Sequence, residues 1–310
     1  MTTPGREPLV SVVIPCRGHH AELELCLGSL RGQEDPPCHE IIAVDSAGDP
    51  EVQAVVHRHP GVTLVRAREP LLPGPARELG VRHSRGAYLA FIDADCVAER
   101  GWLRAALQCL EQGGTLVSGP VLDALPFHPV AVADNLLQFA DRPARRPDGP
   151  ATSLATCNLA VGRAAFDELG GFPRTSLPAG EDILFCEAAA ARWPRGLRFC
   201  NGMRVRHFGR SGLLAFARHQ ESFGFCRALL GLRLKPHHRR LGRSAAAMGA
   251  VVLKRLAYIA RTTARWDPAG LLRVVLVLPL LGVGLVAWAI GFRRGCRAAD
   301  WRLPREEERE

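Results

Sequence analysis

Apolar and polar positions follow a repeating order through the first third of the chain: a short apolar run, a polar turn, then an amphipathic segment. Leu9 to Ile14 is an apolar run of strand length closed by Pro15-Cys16-Arg17-Gly18, and Glu22 to Leu30 carries Leu23, Leu25, Leu27 and Leu30 at helical spacing. Ile41 to Val44 predicts a second buried strand ending at Asp45, after which Ser46 to Pro50 turns into a helix bearing Val52, Val55 and Val56. Val62 to Val65 predicts a third strand. The loop Pro70 to Pro75 opens a helix through Arg77, Glu78 and Leu79, and Ser84-Arg85-Gly86 closes it before a fourth strand, Tyr88 to Ile92. This order predicts an α/β fold with a mostly parallel sheet covered on both faces.

Beyond the fourth strand the pattern predicts a helix over Trp102 to Leu110, a strand within Gly114 to Gly119 and an amphipathic helix over Val130 to Phe139. The length of the region from Val121 to Pro150 marks it as a lid or acceptor-side element, with a disordered connection as the alternative. Arg163 to Leu169 reads as a short helix stopped by Gly170-Gly171-Phe172, and a further helix runs from Glu181 to Ala191. Two short strands, Leu197 to Cys200 and Arg204 to His207, precede a helix over Leu213 to Leu230. Near the C-terminus, Ser244 to Ala260 is apolar except for Lys254 and Arg255, while Val274 to Phe292 contains no charge and is interrupted by Pro279, Gly282 and Gly284. The second run is just long enough for a membrane span, the first reads as an interfacial helix or half of a hairpin, and a buried soluble helix is the other reading of both.

Charge changes this picture mainly at the C-terminal end. Lys+Arg 40 against Asp+Glu 31 gives a net charge of +9, and basic residues crowd positions 234 to 243 and 293 to 297, on either side of the apolar segments. That placement predicts an anionic membrane surface as a partner, and the absence of zinc-finger spacing or an aromatic-interleaved basic stripe argues against nucleic acid. The ten cysteines include no C-x-x-C pair and fall largely in apolar runs, which predicts free thiols and a reducing compartment. The first apolar run is too short for a secretory signal and is broken by Pro15, so the expected site is the cytoplasmic face of a cell membrane.

The chemistry is concentrated where the fourth strand ends. Tyr88 to Ile92 delivers two carboxylates, Asp93 and Asp95, to its C-terminal edge, the edge where open α/β sheets bind ligands. Two acids there repel each other unless a cation or proton lies between them, and a divalent metal holding a diphosphate would resolve the conflict; an acidic loop that caps the next helix is the bland alternative. Asp45 ends the second strand at the same edge, either to bond a nucleoside or to hold Ser46-Ala47-Gly48 as an Asx-turn. Glu181-Asp182 opens a helix whose dipole favours acids, and one member facing the cleft would be placed as a general base. His207 follows an alternating run and is a metal-ligand candidate through one ring nitrogen, against a merely hydrogen-bonded role.

Taken in order, these segments resemble the family 2 nucleotide-sugar glycosyltransferases of GT-A fold. Val10 to Pro15 resembles the first strand of that family, Glu40 to Asp45 its second, Gly74 to Gly80 the loop and helix before the metal motif, and Tyr88 to Cys96 the Asp-x-Asp strand. Asn158-Leu159-Ala160, Gly170-Gly171-Phe172, Glu181-Asp182 and Val205-Arg206-His207 recur in the family's order, so the resemblance spans about residues 8 to 230. It implies inverting transfer from a nucleoside-diphosphate sugar to a glycan or lipid-linked acceptor hydroxyl. It further implies Pro15, Arg17, Asp45, Arg77 and Asp93 on the donor, Asp95, Asp93 and His207 around Mg²⁺ or Mn²⁺, and Asp182 as base with Glu181 beside it. Ser46 stands where the family often has a second acid, and no Q-x-x-R-W follows Gln220, which argues against a processive synthase. The expected division is a catalytic region at 1–235 and, at 236–310, a basic linker, apolar helices near 244–260 and 271–292 and a charged tail. A GT-A-like protein that binds nucleotide sugar or glycan without turnover is the rival reading.

Overall fold

The computed structural model describes residues 7–175, 177–234 and 244–298. The basic run at 235–243 and the tail at 299–310 therefore lie outside the described residues. In chain order the elements are β1 Val10–Cys16, α1 His20–Arg31, β2 His39–Asp45, α2 Pro50–His57, β3 Val62–Arg66, α3 Pro73–Arg82 and β4 Tyr88–Ile92. There follow β5 Cys96–Ala98, α4 Trp102–Glu111, β6 Leu116–Ser118, β7 Val121–Asp123, α5 Pro129–Phe139, β8 Gly149–Pro150, β9 Asn158–Gly162, α6 Arg163–Glu168 and α7 Glu181–Arg192. The last elements are β10 Leu197–Phe199, β11 Val205–His207, α8 Leu213–Leu234, α9 Ala245–Trp266, α10 Leu271–Leu276 and α11 Leu278–Arg297.

The chain divides into two compact units, the first comprising 1–122, 146–174 and 181–207 and the second 123–145, 175–180 and 208–310. In the first, the sheet runs in the order β3-β2-β1-β4-β9-β6-β10-β8. The strand-helix repeat of the first third produces parallel β3, β2, β1 and β4, as expected. β9 was not foreseen as a strand, and it enters antiparallel between β4 and β6. Val13, Ile42, Val44, Phe91, Leu159 and Val161 form the core under the sheet. Phe91 and Phe166 meet Phe172 edge-on, at 5.1 Å and 5.4 Å between ring centres. The Gly170-Gly171 turn that delivers Phe172 is held by Glu78, whose Oε1 accepts from Phe172 N at 2.6 Å. Gly171 has φ +77, and a Cβ there would run into the Glu78 carboxylate. Burial raises the Glu78 pKa despite that charge-favouring bond.

The second unit is helical. Its core is built from Val132, Leu137, Phe216, Ile259, Val274, Val277, Leu281 and Leu285. α8 and α11 approach so closely that a Cβ on Gly224 would collide with the Trp288 carbonyl oxygen and one on Gly291 with the Glu221 carbonyl oxygen. Buried Asp134 ties α5 to α8, accepting from Arg210 N at 3.0 Å and Gln220 Nε2 at 2.8 Å and facing His219 Nδ1 at 3.2 Å. The apolar run Val274 to Phe292 does not form one helix. Val277 breaks it, and Pro268–Leu276 and Leu278–Arg297 meet at a bend of 73°. Pro279 explains the break, because it has no N–H to give to a preceding carbonyl and its ring crowds the turn before it. Among the described residues no single helix is long and apolar enough to cross a membrane; the bent pair has the length and composition only when both parts are counted.

Candidate active site

Parallel strands β1, β2 and β4 end at one edge, and their register sets which side chains meet there. Cys16 lies opposite Asp45, and Val13 lies opposite Phe91, two positions short of Asp93. Asp45 is fully buried and spends its carboxylate on its own loop: Oδ1 accepts from Ala47 N at 3.2 Å and Asp49 N at 3.0 Å, while Oδ2 accepts from Gln53 Nε2 at 2.8 Å. Of the two roles open to Asp45, the Asx-turn is the one these bonds describe. Ser46 Oγ donates to Cys16 O at 2.8 Å and ties that loop to β1. Cys16 is kept as a thiol by its burial first and then by the nearby charges of Asp45 and Asp93, all of which raise its pKa.

The centre of the edge is a charged triad on three elements. Arg77, from α3, is only 2% exposed and gives Nη1 to Glu181 Oε1 at 2.6 Å and Nη2 to Asp93 Oδ1 at 2.5 Å. One guanidinium thus joins the end of β4 to the first turn of α7, a fork that a single ammonium could not provide. Burial alone works against its charge, but Asp93 and Glu181, with Asp182 further out, raise the Arg77 pKa well above the usual value. Asp182 is half-buried beside Glu181, and its Oδ1 accepts from Ile183 N at 2.8 Å.

Asp95 reaches a different partner. After Asp93 the chain turns through a Cys96 N to Asp93 O bond at 3.0 Å and enters β5, whose Cys96 pairs with His207 in antiparallel β11. That register brings His207 Nε2 within 3.7 Å of Asp95 Oδ2, with both side chains nearly buried. Among the described residues no three His, Cys, Asp or Glu side chains gather to hold an ion. A hard divalent cation such as Mg²⁺ is commonly bound by one or two carboxylates and completes its shell with substrate phosphates and water, so the Asp95 carboxylate fits such an ion, with the His207 ring nitrogen 3.7 Å away as a second donor.

The glycosyl transferase family 2 model matches residues 11–170, which is more than half of the chain and includes all of β1 but Val10, with Asp45, Arg77, Asp93, Asp95 and Asn158. The chain belongs to glycosyl transferase family 2. It is 25% identical over 180 residues to glycosyltransferase AglE of Haloferax volcanii, covering 56% of this chain and 59% of that one. It is also 26% identical over 232 residues to the pre-mycofactocin glycosyltransferase of Mycobacterium tuberculosis, covering 72% of this chain and 48% of that one. It therefore spans about half the length of these relatives. The solved mannosyltransferase PcManGT from Pyrobaculum calidifontis, in complex with GDP-Man and Mn²⁺, shares the fold at TM-score 0.57 and 21% identity, over 94% of this chain and 89% of that one.

Within this family 2 chain the remaining donor-side candidates stand at the same edge: Pro15 is partly exposed in β1, and Arg17 is exposed just after it. Arg77, read from the sequence as a cation toward the diphosphate, is engaged with two carboxylates. Sequence reasoning missed the support behind the acidic turn. Asn158, opposite Ile92 in β9, accepts from Trp102 Nε1 at 2.8 Å and donates to Met203 O at 2.8 Å and Pro120 O at 3.1 Å, fixing two loops and the start of α4 around the strand end. The available signal was Asn158 at the head of an apolar run, a position that favours loop bonding over ladder pairing.

Proposed function

We propose that the chain transfers a sugar from a nucleoside-diphosphate sugar to a hydroxyl of a glycan or lipid-linked acceptor, with inversion at the anomeric carbon. The observation that supports this reading is the bridge through Arg77, which joins Asp93, two residues before the Asp95 that faces His207, to Glu181, the neighbour of Asp182. Asp95 and His207 would hold Mg²⁺ or Mn²⁺, with Asp93 next to them. When bound, the ion would offset charge on the departing diphosphate. Asp182 takes the acceptor O–H proton as that oxygen bonds the anomeric carbon; the bond from that carbon to the diphosphate breaks, and the diphosphate leaves with the electron pair. One displacement inverts the centre, and no second carboxylic acid of the glycosidase kind is required. Pro15, Arg17 and the loop that Asp45 organises line the donor side.

The fold shared with PcManGT, seen with GDP-Man and Mn²⁺, supports a nucleotide-sugar donor and a divalent ion. Transfer is assigned to residues 1–235 and attachment at the cytoplasmic face of a membrane to residues 236–310, on the strength of the apolar helices there. The test is a donor panel assayed for transfer and hydrolysis with and without Mg²⁺ or Mn²⁺, with lipid extract supplying acceptors. Metal-dependent product from one donor, with donor affinity lost in Asp95→Ala, is expected. Equal donor affinity with and without metal would remove the ion from the reading; tight nucleotide-sugar binding without product would replace transfer by binding.

A further inference from the structure

In most soluble proteins a helix packed on a core shows water a polar stripe, and α11 does the opposite. Its inward stripe, Leu281, Gly284, Leu285, Trp288, Gly291 and Phe292, is buried against the second unit. Its outward stripe runs Pro279, Gly282, Val283, Val286 and Ile290, at spacings of three and four, and holds no polar residue until Arg294 and Arg297. Val286 is 58% and Ile290 51% exposed. One element earlier, Leu272, Val275 and Leu276 of α10 point outward as well, Leu276 at 71%. An exposed run of this extent marks an interaction surface, and the charge around it selects the partner. Between 244 and 298 there are eight Lys or Arg, at 254, 255, 261, 265, 273, 293, 294 and 297, against one acid, Asp267. Anionic headgroups match an apolar stripe that ends in exposed arginines.

Length decides how such a surface sits. From Leu278 to Phe292 the helix rises about 21 Å at ~1.5 Å per residue, short of the ~30 Å hydrocarbon thickness. α10 cannot extend it, because the two helices meet at 73°. Burial of the opposite stripe leaves only one side for lipid. We propose that the second unit is seated in one leaflet of an anionic bilayer by the outward stripe of α11, with Arg294 and Arg297 at headgroup level, and does not cross the membrane. This specifies the membrane attachment proposed above, and because vesicle binding is read without sugar transfer, the seat and the transfer can fail separately.

Flotation of the full chain with phosphatidylcholine vesicles, with and without phosphatidylglycerol, tests it. Binding is expected at least about tenfold stronger with phosphatidylglycerol and weaker as salt shortens the Debye length. The double variant Val286→Asp/Ile290→Asp is expected to lose tenfold or more of that binding with unchanged circular dichroism, since both positions face outward. A label at Val286→Cys, with the partly exposed Cys38 and Cys296 changed to Ser, is expected to be quenched by lipids brominated high on the acyl chain. Stronger quenching from the bilayer midplane would overturn the single-leaflet seat. Vesicle binding that is absent, or indifferent to the Asp pair, would overturn the surface; so would self-association in sedimentation that the same pair abolishes, which would give the stripe to a second copy.

Discussion

In the α/β unit the side chains most costly to bury are inside: Arg77 and Glu181 are buried and joined to a partly exposed Asp93. In the helical unit the side chains that gain most from burial are outside, along α10 and α11. A lone soluble domain is favoured by neither arrangement. Buried charges are retained where their fixed geometry is needed, and outward apolar stripes where another apolar phase covers them. The contrast therefore separates a unit specified by polar geometry from one specified by backbone proximity and by its surroundings.

The largest effect is expected at Arg77. Arg77→Met leaves the Glu181 carboxylate buried without its partner and is expected to destabilise the chain by ~3–5 kcal/mol in urea denaturation. Arg294, exposed and paired with Glu221 on the helical unit, supplies the contrast: Arg294→Met is expected to cost under ~1 kcal/mol. Similar losses for the two would mean that the triad is no more than an ordinary ion pair.

Next comes Asp182, where the same polar geometry is read as rate. Asp182→Asn keeps size and part of the hydrogen bonding to Ile183 N but cannot take a proton, so single-turnover transfer is expected to fall about 10²-fold or more with donor affinity kept. Near-normal transfer would make Asp182 a helix-start residue and move the base elsewhere.

How much of this was legible in the sequence follows the same division. Elements that carry their own periodicity were readable: β1 to β4 and α1 to α4 arise where the apolar runs predict them, because a strand buried on both faces and an amphipathic helix each record their surroundings locally. β5 and β9 were not, since Cys96-Val97-Ala98 and Asn158 to Gly162 are strands through their neighbours' ladders rather than their own pattern. Residue types at the site were readable, but commitments were not. Nothing in the spacing of Asp45 says that it would accept three bonds from the loop and helix that follow it, or that Arg77 would join Glu181 to Asp93. The Val274 to Phe292 run counts residues across a break at Val277, so the length that its composition offers is divided between two helices that meet at 73°.

The proximity side of the comparison is tested at Gly291. A Cβ there would strike the Glu221 carbonyl, so Gly291→Ala is expected to force α8 and α11 apart at ~3 kcal/mol, despite alanine's better helix propensity. Val286→Ala, on the outward stripe of the same helix, is expected to stay within ~0.5 kcal/mol in vesicle-free buffer. Equal effects would remove the distinction between the two faces of α11.

The last comparison is between two carboxylates of the helical unit, Asp123 and Asp134, whose pKa shifts are of opposite sign. Burial pushes the Asp123 carboxyl up to about 6 from 3.8, although Arg273 at 3.6 Å and Asn135 oppose it. Burial also raises Asp134, but His219, Arg210 N and Gln220 outweigh it and leave its pKa lowered. For Asp123 the folded pKa lies above the unfolded one, so its stabilisation is fully present below 3.8 and is lost as pH rises through about 6. For Asp134 the folded pKa lies below, so its stabilisation is present above 3.8 and is lost as pH falls. Asp123→Asn removes a charge that is costly at neutral pH and is expected to stabilise the chain by about 2 kcal/mol near pH 8, the advantage fading toward about pH 4. Asp134→Asn is expected to destabilise near pH 8, with the loss shrinking in acid as the wild-type carboxylate is protonated. Urea midpoints followed across pH measure both differences. A pH-independent difference for Asp123→Asn would mean that burial and Arg273 cancel at Asp123, and a variant that is destabilised near pH 8 would mean that Arg273 outweighs burial and lowers the Asp123 pKa.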